Sequence, residues 1–401
     1  MNKLTLDDLN LNNKRALVRV DFNVPLDDNG NVREFTRIKA SLPTIHNILD
    51  YDGKVVLMSH FGRPDGKRDM KYSLKPIVCE LKRLLQKEIK FAPDCIGPEV
   101  EEMANSLQAG EVLLLENVRF HPGEMENDPV FAEKLSRLGE IYVDDAFGAA
   151  HREQASIHAI TQFYPGCAAA GRLMVREIKF LTASLCNPRR PFVGIVGGAK
   201  ISSKIKTIKR LLPMVDTLLI GGAMAFTLIK AKGGKIGASL VEDNKLDLAR
   251  EILSMPEASK IVLPVDAIVA QDLEYGAERR TYPSDNIPIG WKGLDLGRDS
   301  RNCFTDIVKK VATVLWNGPV GLFEREPFAP GTRVLARALV DVTTNGGVVV
   351  VGGGDTMAAL HRFNLQSSMT HISTGGGSLL EFVENRTLPG IEVLSESPLE
   401  Q

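Results

Sequence analysis

Short apolar runs rich in β-branched residues alternate along the 401-residue chain with longer segments of helical periodicity. Parallel strands need a crossover connection, so this alternation predicts a mostly parallel sheet covered by helices. A chain of this length exceeds the size at which one hydrophobic core stops growing, and two domains are therefore expected. The predicted strands are residues 16–20, 54–58, 111–116, 141–144, 192–196, 217–220, 260–266, 313–316, 347–351 and 370–373.

Helical periodicity is clearest in three segments. Residues 73–87 and 131–139 are predicted helices, and the second is expected to end at Gly139 as a glycine C-cap. An amphipathic helix is also predicted from about Leu173 to Leu185, where Asn187 and Pro188 end it. One interpretation makes this helix a stiff connection between two domains. The other makes it an ordinary crossover within one continuous sheet.

Composition excludes several classes of protein. The formal net charge of −1 gives no long-range attraction toward nucleic acid or an anionic membrane. No stretch approaches the roughly 18 uninterrupted apolar residues of a membrane span, and the first ten residues do not resemble a signal peptide. The five cysteines form no C-x-x-C pair, which indicates a reducing compartment and neither a disulfide framework nor a zinc site. We therefore expect a cytoplasmic protein without nucleic-acid or membrane partners.

Charged and polar residues follow the strands of the first half. Ligands of open parallel sheets bind at the carboxyl ends of the strands, so these positions are considered together. Arginine recurs among them, and its guanidinium grips phosphate and carboxylate groups bidentately. A solvated loop would explain any single arginine, but three at successive strand ends predict a site for a small phosphorylated or carboxylated acid. The residues are Asp21, Asn23, His60, Arg63, Arg119, His121, Asp144, Asp145, His151 and Arg152.

Glycine pairs and triplets follow the strands of the second half, in "VGGAK", "IGGAMAF", "WNGPVG", "VGGGDT" and "STGGGS". Backbone without Cβ can approach a phosphate or a base closely, and a following helix N-terminus offers free N–H groups. The pattern predicts a nucleotide pocket, although close packing explains any single pair. Lys200 and Asp355 suit phosphate neutralisation and magnesium binding, and a surface lysine and a helix-capping aspartate are the alternatives.

An acid site in one half and a nucleotide site in the other predict phosphoryl transfer between them. A nicotinamide-dependent dehydrogenase would need a complete G-x-G-x-x-G fingerprint, and Met357 occupies its last glycine position. A non-catalytic anion-binding protein would not need Lys200 and Asp355, both of which are present.

The chain resembles the phosphoglycerate kinase family along almost its whole length. The matching stretches include "VRVDFNVP", "TRIKASLPTI", "SHFGRP", "LLLENVRFHPGE", "DDAFGAAHR", "GGAKISSKI", "GWKGLDLG" and "VVGGGDT", in the family's order. The resemblance implies an α/β protein with two doubly wound parallel-sheet (Rossmann-like) domains facing each other across a cleft. The expected domains are 1–172, which binds 3-phosphoglycerate and is completed by 378–401, and 188–377, which binds nucleotide, with an interdomain helix at 173–187.

The resemblance also implies the site residues. Those expected at 3-phosphoglycerate are Asp21, Asn23, Arg37, His60, Phe61, Gly62, Arg63, Arg119 and Arg152. Those expected at the nucleotide are Gly197, Gly198, Ala199, Lys204, Gly221, Gly222, Gly293, Asn317, Glu324, Gly353, Gly354, Asp355 and Thr356. Asp355 would bind Mg²⁺ and Glu324 the ribose. Arg37, Lys200, Gly354 and Gly375 would stabilise the phosphoryl group during transfer.

The implied reaction is reversible phosphoryl transfer between 1,3-bisphosphoglycerate and MgADP, giving 3-phosphoglycerate and MgATP, the ATP-forming step of glycolysis. The acceptor in the reverse direction is a carboxylate, which is ionised at neutral pH, so no general base is required. A monomeric, hinge-closing kinase is expected. Its hinges are predicted at the ends of the 173–185 helix and around residues 371–377.

Overall fold

The computed structural model describes residues 2–27, 29–274 and 276–397, and these form two compact units. The boundaries between the units fall between Thr182 and Ala183 and between Leu380 and Glu381. The first unit is therefore made of two separate segments of chain. Residues 398–401, which belong to the expected segment 378–401, lie outside the described part, as do residues 1 and 28 of the expected segment 1–172.

The first unit is built on a six-stranded parallel sheet in the order β3-β4-β2-β1-β5-β6. The chain moves from β1 toward one edge and returns to the other side at β5, which makes the sheet doubly wound with its switch point between β1 and β5. Its strands are β1 (Arg15–Arg19), β2 (Lys54–Met58), β3 (Ile89–Phe91), β4 (Val112–Leu114), β5 (Ile141–Asp144) and β6 (Ala168–Ala170). Its first helices are α1 (Thr36–Asp50), α2 (Lys75–Leu85), α3 (Pro98–Asn105), α4 (Pro122–Met125), α5 (Pro129–Ser136) and α6 (Arg172–Leu181).

The second unit repeats this plan with the order β10-β8-β7-β15-β16-β17, again all parallel, and its switch point lies between β7 and β15. A three-stranded antiparallel sheet, β12-β11-β14, and a two-stranded pair, β13-β9, accompany it. The strands are β7 (Phe192–Val196), β8 (Thr217–Ile220), β9 (Lys235–Ile236), β10 (Ile261–Val262), β11 (Asp266–Ala270), β12 (Arg279–Pro283), β13 (Asn286–Ile287), β14 (Lys292–Leu296), β15 (Thr313–Asn317), β16 (Val348–Gly352) and β17 (His371–Ile372). The helices are α7 (Ile205–Leu211), α8 (Met224–Ala231), α9 (Leu246–Leu253), α10 (Arg298–Val308), α11 (Pro330–Thr344) and α12 (Gly354–Phe363).

These two sheets confirm the predicted α/β class, and one continuous sheet is the wrong interpretation. Helices cover both faces of each sheet, so the central strands are buried on both sides and show continuous apolar runs. In β15, for example, every residue from Thr313 to Asn317 is buried. Each unit has its own hydrophobic core, around Val18 and Ile45 in the first and around Trp316 and Leu339 in the second.

Two local predictions are wrong. Residues 260–266 are not one strand, because β10 ends at Val262 and Asp266 begins β11 in the antiparallel sheet. Pro264 lies between them and cannot donate to a strand ladder. Gly139 is not the C-cap of α5, which ends at Ser136 with Arg137 in the cap position. A Cβ at Gly139 would lie 2.7 Å from the Cβ of Leu17, so this glycine serves packing against β1.

The helix predicted at 173–185 consists of two parts. The α-helix α6 ends at Leu181, and a π-helical turn, Thr182–Cys186, continues it. Asp145 caps the N-terminus, since its Oδ1 accepts the N–H groups of Leu173 at 2.9 Å and Met174 at 3.3 Å. The first boundary between the units falls inside the π-helical turn.

The second segment of the first unit returns to its beginning. It contains the end of α13 (Gly377–Asn385) and α14 (Pro389–Glu392). The N–H of Leu4 donates to the carbonyl of Ser395 at 2.8 Å, and the N–H of Ser395 donates to the carbonyl of Ala168 at 3.0 Å. The edge strand β6 is thereby covered. Within the described residues, no helix combines the length and the apolar character needed to cross a membrane.

Candidate active site

Asp21 and Asn23 hold the loop that follows β1 in the first unit. The Asp21 carboxylate forms an ion pair with Arg37 of α1, with 2.9 Å between its Oδ2 and Nη1 of the arginine. The same Nη1 donates to the carbonyl of Asn23 at 3.0 Å, and Oδ1 of Asn23 accepts the N–H of Gly62 at 3.0 Å. These contacts join the ends of β1 and β2 to the beginning of α1. Arg37 therefore belongs to the same group as Asp21 although 16 residues separate them in the chain.

His60 and Arg19 form a buried pair below this loop. Nη2 of Arg19 lies 3.1 Å from Nδ1 of His60, and a guanidinium can only donate, so Nδ1 is the acceptor and Nε2 carries the proton. Burial lowers the pKa of His60 well below its ordinary value, and the charges of Arg19, Arg119, Arg37 and Arg152 lower it further. His60 is therefore a neutral imidazole with one N–H available as a donor.

Arg19 was not among the predicted site residues. It is fully buried, and its Nε donates to Oγ of Ser156 at 2.8 Å, while Nη2 lies 3.8 Å from the fully buried carboxylate of Glu124. Glu124 also accepts the N–H of Ser156 at 2.9 Å and its hydroxyl at 2.7 Å. The apolar run "ALVRV" gives no hint of this role, because an arginine inside a strand suggests an edge or an exposed face.

Arg119 is the most unusual group of the first unit. It is 95% removed from solvent, and its Nε has no hydrogen-bond partner among the described residues. Burial lowers its pKa to about 10, and the positive charges of Arg19 and Arg152 contribute in the same direction. Its Nη1 donates to the carbonyl of Gly62 at 2.9 Å. A buried guanidinium with an unused N–H and cationic neighbours needs an anion to complete it.

The strand-end loops of β2 and β4 hold each other in place. Asn117 accepts the N–H of Phe61 at 3.1 Å and donates to its carbonyl at 2.7 Å. Gly62 has φ +59°, and a Cβ there would lie 2.3 Å from the ring of Tyr72. Both requirements restrict this position to glycine. The backbone of the loop after β2 thus holds the side chain of Arg119, because the carbonyl of Gly62 accepts its Nη1.

Arg63 and Arg152 complete the cationic group. Arg63 is exposed, and Arg152 is half-buried with its Nε 3.2 Å from Nε2 of His151. Burial lowers the pKa of Arg152, and the charge of Arg63 lowers it as well, while Asp21 opposes both. The structure therefore brings into one connected group the seven polar and charged residues that the resemblance implies for the acid site, namely Asp21, Asn23, Arg37, His60, Arg63, Arg119 and Arg152.

In the second unit, the glycine loops meet at the switch point between β7 and β15. The N–H of Gly197 donates to the carbonyl of Asn317 at 3.1 Å, and a Cβ at Gly197 would lie 2.0 Å from the carbonyl oxygen of Pro319. A Cβ at Gly221 would lie 2.6 Å from the side chain of Val320. Gly197 and Gly221 are therefore required by the packing of the chain itself. Their neighbours Gly198 and Gly222 line open space, and Gly222 is restricted as well, because its φ is +70° and a Cβ there would lie 2.6 Å from the carbonyl oxygen of Gly198.

That space is a cavity of about 420 Å³. Six of the predicted nucleotide residues line it: Gly198, Ala199, Gly222, Gly293, Glu324 and Asp355. The others lie beside it or behind its wall. Gly353, with φ +92°, precedes α12, and Gly354 begins this helix, so the first N–H groups of α12 are near the rim.

The apolar wall of the cavity was missed by the sequence analysis. Phe226, Leu294 and Val320 form part of it, and the exposed side chains of Leu240 and Leu273 flank it. The ring of Phe226 fills the space beside Gly293, where a Cβ would lie 2.0 Å from it. Phe226 is the last residue of the predicted motif "IGGAMAF", which is the signal that could have identified it. A flat apolar group such as a nucleobase matches this wall.

Lys204, Asn317 and Asp355 form the polar end of this region. Nζ of Lys204 donates to Oδ1 of Asn317, and burial lowers the pKa of Lys204 while the negative charge of Asp355 opposes that shift. Asp355 is exposed in the first turn of α12, and its carboxylate makes no hydrogen bond or ion pair within the described residues. A free carboxylate at the edge of a phosphate-sized space fits Mg²⁺, which binds proteins through one or two carboxylates and the substrate's phosphates.

The remaining predicted residues have different surroundings. Lys200 is exposed ahead of a 3₁₀ turn, Ile201–Ser203, and the carboxylate of Glu242 accepts the N–H of Ser202 at 2.9 Å behind it. Thr356 is buried and joins two loops, since its hydroxyl accepts the N–H of Gly318 at 2.7 Å and donates to the carbonyl of Gly352 at 2.9 Å. Gly375 lies in the turn before α13. The four predicted catalytic residues are divided between the units: Arg37 belongs to the first, and Lys200, Gly354 and Gly375 belong to the second.

Comparison with protein families gives one extended match. Residues 6–386 match the family model described as phosphoglycerate kinase. A phosphoglycerate kinase of Chloroherpeton thalassium is 50% identical over 399 residues, which is 99% of this chain and 100% of that protein. A phosphoglycerate kinase of Moorella thermoacetica is 49% identical over 398 residues, with the same coverage.

Solved structures give the same result. The structure of phosphoglycerate kinase from Coxiella burnetii superposes with a TM-score of 0.82 at 37% identity and covers 98% of each chain. The crystal structure of phosphoglycerate kinase from Pyrococcus horikoshii superposes with a TM-score of 0.85 at 30% identity, again with 98% of each chain.

Proposed function

The chain belongs to the phosphoglycerate kinase family, whose members transfer a phosphoryl group between ATP and the carboxyl group of 3-phosphoglycerate in glycolysis, and we propose how its own residues perform this reaction. The arginine group of the first unit binds the acid, and the cavity of the second unit binds ADP or ATP. The observation that carries this assignment is the unused Nε of Arg119.

Acid binding is supported by charge and by hydrogen-bonding capacity. Arg63, Arg119 and Arg152 present guanidinium groups to the same region. Burial lowers the pKa values of Arg119 and Arg152, and the positive charges of neighbouring arginines lower them further. A dianionic phosphate removes that repulsion and accepts their N–H groups. His60 adds a neutral N–H through Nε2, because Arg19 occupies Nδ1. Asp21 and Asn23 serve the hydroxyl and carboxyl end of the acid.

Nucleotide binding is supported by the shape of the cavity. The base packs on the apolar wall at Phe226 and Leu294, where Gly293 leaves room for the aromatic ring. Glu324, exposed at the edge, accepts hydrogen bonds from the ribose hydroxyls. The phosphates lie toward Lys204 and the first turn of α12, whose free N–H groups favour anions. Asp355 would hold Mg²⁺, which neutralises phosphate charge and orients the phosphate oxygens when it is bound.

The chemical step needs alignment and charge neutralisation. The acceptor carboxylate is already ionised at neutral pH, so no side chain removes a proton from it. Arg37 approaches the transferred group from the acid side and Lys200 from the nucleotide side. The N–H of Gly354, at the beginning of α12, provides a further donor. The N–H of Gly375, in the turn before α13, donates to Oγ of Ser373 at 3.1 Å in this structure and would have to exchange that partner for the phosphoryl group.

We assign the acid-binding domain to residues 1–172 completed by 378–401, the connecting helix to 173–187 and the nucleotide-binding domain to 188–377. The compact units support a division of this kind, with one boundary inside the proposed connecting helix, between Thr182 and Ala183, and the other three residues after 377, between Leu380 and Glu381. Direct transfer requires the two substrates to meet and water to be excluded from the acyl phosphate, so closure about hinges accompanies catalysis. The π-helical turn Thr182–Cys186 and the glycine-rich turn before α13 are the proposed hinges.

We propose a cytoplasmic monomer. Each group of binding residues is contained within one unit of a single chain, so a second copy is not needed to complete it. All five cysteines are free thiols, and free thiols suit a reducing compartment.

A coupled assay tests the proposed assignment. The protein receives 3-phosphoglycerate and MgATP, and a downstream dehydrogenase reports formation of the acyl phosphate. We expect turnover that depends on Mg²⁺, and calorimetry should detect binding of each substrate in the absence of the other. A folded sample without turnover would contradict the assignment, as would a nucleotide affinity that changes when the arginines of the first unit are replaced.

A further inference from the structure

Three side chains with metal-binding atoms meet in the first unit, and none of them is among the residues assigned above to acid or nucleotide binding. Asp94 and Cys95 lie in the turn between β3 and α3, and His121 precedes α4. The strands β3 and β4 are parallel neighbours, so their carboxyl ends bring the two loops together although 26 residues separate Cys95 from His121. One ligand atom from each residue lies within 4.8 Å of the other two.

Hydrogen bonds and ring stacking already hold these side chains close to one another. Nε2 of His121 lies 2.7 Å from Oδ1 of Asp94, and the N–H of Cys95 donates to the same oxygen at 2.6 Å. The ring of His121 stacks on Phe131 with 5.2 Å between centroids. Arg68 holds the other oxygen of Asp94 at 3.3 Å. Imidazole and carboxylate orientations are thus fixed by neighbouring residues, as in metal sites whose outer partners position the ligands.

We propose that Asp94, Cys95 and His121 form a binding site for Zn²⁺ or a similar divalent transition metal. Thiolate, imidazole and carboxylate are the ligands that Zn²⁺ takes in proteins, and water would complete a tetrahedron. Mg²⁺ and Ca²⁺ prefer oxygen ligands and would not select a set with sulfur and nitrogen. The absence of a C-x-x-C pair in the sequence does not exclude zinc here, because the fold supplies the proximity.

Access and charge are consistent with a cation at this position. Cys95 is fully buried, while the side chains of Asp94 and His121 are 30% and 28% exposed, so an ion would enter from the solvent side and meet the thiol at the inner end. Burial raises the pKa of Cys95 well above its ordinary value, and the negative charges of Asp94 and Glu124 raise it further. The metal-free site therefore holds a thiol surrounded by negative charge, which a dication would neutralise.

Binding requires two proton movements. The thiol of Cys95 loses its proton to solvent when sulfur coordinates the metal. Nε2 of His121 donates to Asp94 in the free site, so the imidazole must carry its proton on Nδ1 instead when Nε2 becomes a ligand. Metal binding here involves no oxidation or reduction.

The site is separate from the proposed magnesium position, since Asp355 belongs to the second unit. It nevertheless adjoins the acid-binding group through the backbone. His121 follows Arg119 by two residues, across the 3₁₀ turn Val118–Phe120. A metal here would fix the chain segment that carries Arg119 without contacting the substrate.

Cobalt spectroscopy tests the site directly. The chelator-treated enzyme is titrated with Co²⁺, which reports thiolate coordination by a charge-transfer band and a tetrahedral site by intense visible bands. We expect both signals in the wild-type enzyme and in Cys79→Ser, the matched control at an exposed cysteine. Cys95→Ser should lack the charge-transfer band. A wild-type spectrum without thiolate coordination, which needs no variant, would overturn the proposal.

Zinc affinity provides the second measurement. In calorimetry with a competing chelator, Cys95→Ser, Asp94→Asn and His121→Gln should each bind Zn²⁺ at least about 100-fold more weakly, since loss of an outer partner alone typically costs 10- to 100-fold. Cys79→Ser should bind like the wild type. Unchanged Zn²⁺ affinity in Asp94→Asn and His121→Gln, both at partly exposed positions, would contradict the site even if Cys95→Ser fails to fold.

Discussion

Arg19 donates to Nδ1 of His60 across 3.1 Å, and this contact decides which nitrogen of His60 faces the substrate. The direction of this hydrogen bond is fixed. The guanidinium has no acceptor atom, and burial keeps the imidazole neutral, so Nδ1 must accept. The fully buried pair of Arg19 and Glu124 thus supports the acid-binding group from below. Arg19, which has no access to the substrate, thus determines that His60 offers the N–H of Nε2 to the acid.

Replacing Arg19 should destabilise the first unit and weaken acid binding together. Arg19→Met leaves the buried carboxylate of Glu124 without its ion-pair partner, with only the charge of Arg119 still acting on it. Removing one partner of a buried ion pair typically costs about 3–5 kcal/mol. The double variant Arg19→Met/Glu124→Gln should recover part of this loss. Urea unfolding measures the free energy of unfolding of the single and the double variant. Arg15→Met, on the same strand, serves as the control. Equal stability of the single and double variants would show that the charges of Arg19 and Glu124 are not coupled.

Lys200 is expected to act on the transferred phosphoryl group rather than on the bound nucleotide. Lys200→Ala should lower kcat by roughly 100-fold or more, as loss of one transition-state donor does, with little change in KM for ATP. Lys206→Ala, at an exposed lysine six residues later, serves as the control. Steady-state kinetics decide the point, and a normal kcat with a raised KM would assign Lys200 to ground-state binding.

Arg119 and Arg152 should contribute to the affinity for the acid alone. Arg119→Ala or Arg152→Ala is expected to weaken 3-phosphoglycerate binding by about 1.5–3 kcal/mol, the usual contribution of a hydrogen bond to a charged group. Nucleotide affinity should not change. Separate calorimetric titrations measure the two affinities, and Arg137→Ala on the exposed end of α5 is a surface control. Equal weakening of both ligands would contradict separate binding groups.

Asp295 should make stability depend on pH. Burial raises its pKa from 3.8 to about 7, against the opposing effects of the N–H groups of Gly331 and Leu296 and the charge of Arg301. Between about pH 4 and about pH 7 the folded state keeps a proton that the unfolded chain releases, so this group lowers stability as pH rises through that range and has no further effect above it.

The variant Asp295→Asn removes this dependence while keeping an oxygen for the N–H of Gly331. Relative to the wild type, its free energy of unfolding should rise by on the order of 3–5 kcal/mol from about pH 4 to about pH 7, which is the shift converted to energy. Denaturant unfolding at several pH values measures the difference. A constant difference between the two proteins would show that Asp295 is ionised throughout.

Closure should require both substrates. A ligand shifts a conformational equilibrium only by its differential affinity for the two states, so each substrate alone is expected to produce part of the change and the ternary complex the rest. Small-angle scattering of the free, binary and ternary forms measures the radius of gyration. An unchanged radius with both substrates bound, in a sample that turns over, would contradict the proposed hinge motion.

The sequence predicted the main strands and the strand-end positions well, because hydrophobic periodicity reports burial directly. Residues 141–144, 192–196 and 217–220 are strands with the predicted bounds. Prediction was weaker where a residue's role depends on a distant part of the chain. Arg37 belongs with Asp21 only because α1 folds back over the end of β1, and strand-end reasoning alone did not include it.

Three features could not be predicted from the sequence pattern, because each depends on contacts with residues that are distant along the chain. Arg19 lies in an apolar run, and only the fold shows that Glu124 and Ser156 surround it. The apolar wall of the nucleotide cavity combines Phe226 of helix α8 with Leu294 of β14, a strand of the separate three-stranded sheet. Gly139 was interpreted from its local sequence, although its requirement comes from contact with Leu17 in a neighbouring strand.

The pairing of Leu4 with Ser395 has a consequence for how the chain is made. A ribosome delivers all of residues 183–380 before it delivers the segment that completes the first unit, so the second unit can finish folding while the first still waits. Closing a loop of this length is slow and adds strongly to contact order. A nascent chain interrupted after residue 380 would therefore display a finished second unit beside a first unit whose edge strand β6 is open to association with other chains.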